Sequence, residues 1–543
     1  MAFNPSSTIY LCNVPIDSTY KNEIYFSSLE EQQNYFSNKV VKTFSNYLTV
    51  RRTLPDGSLV SSVKVDANID TLQSLPCNYM YYQNAQHGTK LFYAFITKLI
   101  YINEGTTEIV FETDVYQTWL FNVTLKPSYV VREHSTSDKI GEHLVPEKFN
   151  FQDYEYEPAI IVDNLNEWGY LVATTEQLGS DGSRGKQMSG IYQGLYFYYY
   201  QNENRLNEFL DKVEEEGGDC VQSITVIPKF CVSENEIGAN ETDKENGEGW
   251  LFYSSSPATH SFDINADIGS KRFDTYSPKN KKLYSSPFFN LVAVNHSGEE
   301  AVYNIEDFYN NKDATTDMRK FSFTMKGDVS INPTVTLYPL WYKGISENYD
   351  CGLSLSGFPQ CSFNSDTFKL WLAKNQFGIA LDTVGNVGQI VTGIATAIGT
   401  GGAGLAIGAS TAVSGATGVL STLNGVYQAS KEPNKSHSGS AKNNLLTAIK
   451  KNKFDIYYRT IKKDYAKTID DYFTMFGYQT NLVKVPNVSA RPKFNYIQTI
   501  DINIVGAIPN DDMKKLKQIY NSGVTLWKST ATVGDYSADN SPS

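Results

Sequence analysis

From Thr383 through Ser430 the chain has no Asp, Glu, Lys, Arg or His, a run of 48 uncharged residues in a sequence of 543. The same window holds 11 of the 38 glycines and no proline. Two apolar stretches lie within it, Gly385–Ile398 and Leu405–Tyr427, separated by the turn-forming string Gly399-Thr400-Gly401-Gly402-Ala403-Gly404. The pattern predicts a two-armed hairpin with a glycine-rich tip. At ~1.5 Å per residue, helical arms would reach roughly 20 and 35 Å. A bilayer's hydrocarbon core is about 30 Å thick, so the second arm is long enough to span it and the first is marginal. Any arm in lipid must satisfy its own backbone groups or pair them with a neighbouring copy. Gly404 and Gly408 are spaced for close packing of such arms.

The stretch is nevertheless a poor permanent membrane span. Each glycine costs a helix roughly 1 kcal/mol relative to alanine, and Thr, Ser, Asn and Gln are scattered throughout. Such a segment is weakly apolar and conformationally ambivalent, able to stay sheltered and insert later. Three readings are compatible with it: a flexible linker or buried core hairpin, a membrane-inserting loop, and an oligomer interface. The insertion reading assigns the membrane-facing role to Gly385, Val387, Ile390, Val391, Ile394, Ile398, Gly401, Gly402, Gly404, Leu405, Ile407, Gly408, Val413, Val419, Leu420 and Leu423.

Elsewhere the chain is acidic. With 47 Lys and Arg against 59 Asp and Glu, the net charge of −12 argues against a protein that grips nucleic acid through its phosphates. The N-terminal residues show no basic segment followed by an apolar run, so synthesis and first folding in the cytoplasm are expected. Six cysteines are too few for a disulfide scaffold and include no C-x-x-C pair; reduced, mostly buried thiols are expected, with 220/231 and 351/361 close enough in sequence to bridge short loops.

Periodicity predicts a mainly β chain with some helix. Ser62–Ile69 alternates, with Val63, Val65, Ala67 and Ile69 on one face. Leu91–Ile102 reads as a strand covered on both faces, turning at Asn103-Glu104-Gly105 into a second strand over Glu108–Phe121. Further strands are expected at Leu171–Thr174, Ile224–Ile227, Phe321–Met325 and Thr334–Tyr342. The aromatic run Ile191–Tyr200 reads as a buried strand or interface, or as a sugar-stacking surface. Asp211–Trp250, with 11 acidic and 3 basic residues, reads as solvated loop, and Lys431–Asn444 as a polar linker. Tyr465, Ile469, Tyr472, Phe473 and Phe476 form a helical stripe closed by Gly477. A second helix is expected from Asp511 to Tyr520, N-capped by Asn510, and Ser529–Ser543 reads as a loose polar tail.

No phosphate-binding G-x-x-x-x-G-K-[ST], zinc-protease H-E-x-x-H or nucleophile-elbow G-x-S-x-G occurs, and the six histidines lack metal-ligand spacing. Arg132-Glu133-His134 and Glu142-His143 come nearest to a polar constellation and read as solvated or interface residues. No catalytic residue, metal or cofactor is expected, although paired carboxylates that meet only in three dimensions are invisible in sequence.

Several strings nonetheless resemble a known family. Tyr20-Lys21-Asn22 with Phe26-Ser27-Ser28, Lys90-Leu91-Phe92-Tyr93-Ala94-Phe95, Gly105-Thr106-Thr107, Asp114-Val115-Tyr116-Gln117-Thr118-Trp119 and Val131-Arg132-Glu133-His134 occur in that order. Near the other end stand Phe494-Asn495-Tyr496-Ile497-Gln498-Thr499 and Ile519–Trp527. Together they resemble the tail-knob (distal tail tube) proteins of small short-tailed phages of Gram-positive bacteria, over roughly 1–135 and 455–530. In the uncharged stretch the likeness is one of composition.

The resemblance implies a mainly β, α+β chain whose two ends build a ring-forming tail-tube domain, residues 1–135 and 441–543. It implies inserted lower or knob domains at 136–360 and a hydrophobic hairpin loop with linker at 361–440. It further implies a homo-oligomeric, usually hexameric, ring joined to an upper tail or collar protein at the virion's tail tip. Double-stranded DNA would pass through without tight binding, and the loops would plug the tube and then enter host membrane lipid to form a pore. An acidic wall suits such a conduit, because it does not hold the passing phosphates. Two alternatives compete: a tail-associated enzyme that degrades the cell surface, and a freestanding pore-forming protein.

Overall fold

In the computed structural model the description covers residues 6–362, excepting 48–50, 54–58, 85–87, 152, 162–167, 177–186, 189–190, 193, 201–205, 207–219, 233–249, 253–257, 296–297, 310–315, 346–350, 357 and 359, and then residues 454–542. The architecture is mainly β with a few helices. The chain forms two compact units. The first comprises 1–152, 272–283 and 463–543, and the second 153–271 and 284–462.

The first unit holds a seven-stranded antiparallel sheet in the order Val40–Tyr47, Ser7–Cys12, Tyr79–Asn84, Leu91–Asn103, Thr106–Thr113, Leu59–Val65 and Arg51–Thr53. Strand side chains alternate between faces, and here both faces are apolar. Ile9, Leu11, Met80, Ala94, Ile109 and Phe111 pack into one buried cluster, while Cys12, Tyr79, Tyr81, Tyr93 and Phe95 enter another. The second cluster is continued by residues from the far end of the chain, Ile497, Leu516, Ile519, Tyr520, Val524 and Leu526. A five-stranded sheet runs Asn22–Ile24, Val524–Trp527, Phe494–Ile500, Ser128–Glu133 and Tyr478–Lys484, with the first two strands parallel.

Five helices among the described residues lie in this unit: α1 (Leu29–Ser37), α2 (Ile69–Ser74), α3 (Val115–Trp119), α4 (Lys463–Phe476) and α5 (Asn510–Ser522). Ser28 caps α1 by accepting from the Glu31 backbone N–H at 3.1 Å, and Glu31 reaches back to the Ser27 N–H at 2.8 Å, two orphan donors satisfied by neighbouring side chains. Among the described residues no helix is long and apolar enough to cross a membrane.

The second unit contains two four-stranded sheets and one of five strands. Tyr154–Ile161, Asp455–Ile461, Phe289–Val294 and Glu300–Asn304 form one four-stranded sheet, and Ala258–Asp267, Met318–Asp328, Thr334–Leu340 and Leu353–Leu355 the other. The five-stranded sheet is ordered Trp250–Phe252, Tyr196–Tyr200, Trp168–Thr174, Val221–Pro228 and Gln360–Ser362. The side chains of Phe197–Tyr200 are buried in it, so this part of the aromatic run lines no sugar cleft.

Several sequence expectations need correction. The alternating strand near residue 62 ends at Val65, because Asn68 caps α2 through the Asp70 N–H at 2.7 Å and Ile69 opens that helix. The second hairpin strand ends at Thr113 rather than Phe121, because Asp114 accepts from the Gln117 N–H at 3.0 Å and starts α3. Leu91–Asn103 is buried on both faces only around Tyr93–Phe95, and its distal half, including Tyr101 and Ile102, is exposed. Asn510 is the first residue of α5, not its cap; Pro509 precedes it and caps with no side chain. The expectation of reduced, buried thiols holds for Cys12, Cys220 and Cys231.

The polar tail is not loose. Asn540 is buried, accepts from the backbone N–H of Lys493 at 2.8 Å and of Phe494 at 3.3 Å, and donates to the Phe494 carbonyl at 2.8 Å. Tyr536 packs edge-on against Phe494 and Trp527. Asn540→Ala strands these three backbone groups in a buried site, so chemical denaturation should show a loss of about 2–3 kcal/mol, where a loose tail would show none.

Candidate functional site

Strand Ser128–Glu133 is flanked on both sides, by Tyr478–Lys484 and by Phe494–Ile500. Its end carries Arg132-Glu133-His134, and all three are buried, contrary to the solvated reading. Each is held by partners from remote parts of the chain. Arg132 donates to the Gly477 carbonyl at 2.7 Å, pairs with Glu147, and lays its guanidinium over the Tyr472 ring. Glu147 also accepts from Lys282 and from the Gln479 N–H. Lys282 donates to the Val145 carbonyl at 2.9 Å, and burial pushes its ammonium below the usual lysine range. Glu133 pairs with Lys484 and accepts from the Asn487 N–H at 3.1 Å.

His134 accepts from the Tyr496 N–H on Nδ1 at 2.7 Å, which leaves the proton on Nε2 to donate to the Thr474 carbonyl at 3.0 Å. Burial, with the positive charge of Arg491 second, drives its pKa down to about 3. The imidazole is therefore a neutral structural link. His143 meets the Ser137 carbonyl at 2.9 Å and stacks near Tyr478, and of this group only Glu142 is substantially exposed. Nearby, the Asp470 carboxylate gathers Tyr276 Oη at 2.5 Å, the Lys279 N–H at 2.7 Å, and the Asn280 N–H and Nδ2 at 3.0 and 2.7 Å. Helix α4 thereby holds the excursion 272–283.

Every one of these groups is committed to internal bonding, which is scaffold chemistry. Among the described residues no cluster of three His, Cys, Asp or Glu side chains is placed to hold a metal.

What the scaffold presents is apolar. Tyr129 lies opposite Val483 on one side and Ile500 on the other, so the three form a row across three strands. They are 40%, 73% and 58% exposed respectively. Leu482 and Val485 lie beside the row in sequence and are exposed as well. Tyr478–Lys484 is an edge strand of its sheet. A contiguous exposed row of apolar side chains at a sheet edge is a contact surface waiting for a partner. The sequence signal for it was the string Leu482-Val483-Lys484-Val485 against Tyr129-Val130-Val131, apolar on both strand faces where only one face is covered.

The insertion-loop residues, Gly385, Val387, Ile390, Val391, Ile394, Ile398, Gly401, Gly402, Gly404, Leu405, Ile407, Gly408, Val413, Val419, Leu420 and Leu423, all lie outside the described residues.

Residues 252–541 match the family described as "Bacillus phage phi29, Tail knob protein gp9, C-terminal domain", and residues 5–124 match "Caudoviral major tail protein N-terminus". The chain is 25% identical to the tail knob protein gp9 of Bacillus phage B103, over 97% of each chain. It is 26% identical to that of Bacillus phage PZA, over 98% of this chain and 97% of the relative. The solved tail knob protein gp12 of bacteriophage C1 superposes with a TM-score of 0.59 at 16% identity, covering 97% of both chains, a likeness of fold.

Two measurements follow from this geometry. Replacing Val483 and Ile500 together by Lys places charge in the apolar row; sedimentation velocity should show self-associated wild-type protein and a folded, monomeric variant. Below its unfolded-state pKa near 6.5, His134 takes up a proton on unfolding that the folded chain refuses until about pH 3. Its contribution to stability is therefore complete above pH 6.5 and is lost as pH falls toward 3. His134→Gln should flatten the wild-type fall in denaturation midpoint between pH 6.5 and 4.

Proposed function

The chain belongs to the phage tail knob protein family, and from that premise we propose that it forms the distal tail tube through which double-stranded DNA leaves the virion. The reading has copies of the chain close into a ring, a hexamer, below an upper tail or collar protein. The tube portion comes from 1–135 and 441–543, the inserted domains from 136–360, and the loop and linker from 361–440. The compact unit that joins 1–152 with 463–543 supports a tube portion drawn from both ends of the chain, and the exposed row Val483–Tyr129–Ile500 supplies a lateral contact. A net charge of −12 suits a wall past which phosphates slide without being held.

The observation that carries the entry role is the 48-residue uncharged stretch in an otherwise acidic structural protein of the virion tail. A loop of this composition in a tail component is explained by two successive environments: shelter inside the tube before infection, and host membrane lipid afterwards. The glycines cost it helical stability in the first state and permit rearrangement into the second. Released together, the loops of a ring line a pore.

Dye-loaded liposomes test this directly. Wild-type protein should release dye, and a variant lacking 383–430 should form the same rings in negative stain yet release none. Equal leakage from the two proteins would remove the loop from the mechanism. Rings without a duplex-wide channel would remove the conduit.

A further inference from the structure

Among the aromatic side chains exposed on the second unit, Tyr309 and Trp341 stand out, and no assembly or entry role uses them. Phe308 and Tyr342 face each other across an isolated antiparallel bridge. On either side, the Tyr309 N–H donates to the Trp341 carbonyl at 2.7 Å and the Lys343 N–H to the Asp307 carbonyl at 3.0 Å. Phe308 and Tyr342 are buried, 5.0 Å apart, against Phe321, Phe323 and Tyr303. Tyr309 and Trp341, joined through their backbones by the first of these bonds, are instead 67% and 64% exposed.

The backbone marks this pair as more than surface accident. Trp341 has φ of +57°, the left-handed region that a bulky residue rarely occupies. Glycine would sit there without strain, so the position keeps an indole against its local preference, a pattern typical of ligand-contacting residues. The platform is also braced. Tyr342 Oη accepts from the Asn304 N–H at 3.1 Å, and the Lys343 ammonium meets Asp307 Oδ2 at 2.7 Å with both side chains partly exposed.

The chemistry narrows the ligand. Two rings offer far less than the roughly 800 Å² per partner of a stable protein interface. Stacking of single-stranded nucleic acid needs a basic groove, whereas the rim formed by Lys343 and Asp307 balances one positive charge with one negative. A pyranose ring fits better. Its polarised C–H face lies on an electron-rich aromatic face, and its hydroxyls can both donate to Asp307 and accept from Lys343. We propose that Tyr309 and Trp341 form a stacking platform for pyranose rings of bacterial surface polysaccharide, with Asp307 and Lys343 reading the hydroxyls at its rim. The platform rests on this geometry alone, and the cell-surface source rests on the tail-tip reading.

Full-length protein should be titrated calorimetrically with N-acetylchitohexaose and with a panel of purified Gram-positive cell-wall polysaccharides. Wild type should bind, and Trp341→Ala and Tyr309→Ala should each weaken binding at least about tenfold, as expected for removal of an aromatic anchor. Trp341→Gly separates ligand binding from a structural role: it should lose binding while its melting temperature stays level or rises. Absence of binding to every glycan, equal binding by Trp341→Ala, or a lowered melting temperature in Trp341→Gly would overturn the platform. Binding of N-acetylchitohexaose with none to the wall polysaccharides would overturn the assigned source.

Discussion

Glu147 is the point on which the first unit turns. Its carboxylate lies out of water between Arg132 and Lys282 and accepts from the backbone at Gln479. An ion buried this way is tolerable only with its partners in place, and removing one typically costs about 3–5 kcal/mol. The partners come from a strand near residue 130, the excursion 272–283 and a strand near residue 480. Satisfying one charge thus requires three distant stretches to meet, and Asp470 imposes the same demand on the excursion through four hydrogen bonds. Hydrophobic burial drives collapse, but these directional contacts decide which segments become neighbours.

That constraint has an outward consequence. With its inner face and end fixed by Arg132, Glu133 and His134, the strand Ser128–Glu133 holds Tyr129 rigidly in line with Val483 and Ile500. A contact surface built on loops would have to be ordered at each docking event, whereas this row is ordered already. Membership in the tail knob family gives such a surface a setting, and the uncharged stretch gives the chain a second, separable chemistry.

Local signals in the sequence were legible where neighbours in the chain settle the matter. The stripe ending at Phe476 and the cap at Gly477 appear as helix α4 with a left-handed glycine, φ +64°. The strands near 171, 224, 321 and 334 are present as well. Signals failed where a short polar side chain ended an alternating pattern early, as Asn68 and Asp114 do, because capping by one residue outweighs several residues of periodicity. Tertiary partners were invisible. Nothing around Arg132-Glu133-His134 announces that Glu147, Lys282, Thr474 and Tyr496 will enclose it, and nothing in a Ser- and Asp-rich tail announces Asn540. The contact row was missed for a similar reason, since an exposed valine reads like a buried one until the sheet edge is known.

The parallel pairing of Asn22–Ile24 with Val524–Trp527 bears on how the chain is made. Trp527 donates to the Asn22 side chain across 505 residues. At roughly 5–20 residues per second, translation takes on the order of half a minute to two minutes to deliver that partner. Throughout that time the N-terminal sheet lacks Leu516, Ile519, Tyr520 and Leu526 from its aromatic cluster. The nascent chain must therefore carry exposed Tyr and Phe side chains until its last tenth emerges, so productive folding depends on chaperone cover or on low local concentration. The same delay means that a truncated chain lacks its completed core.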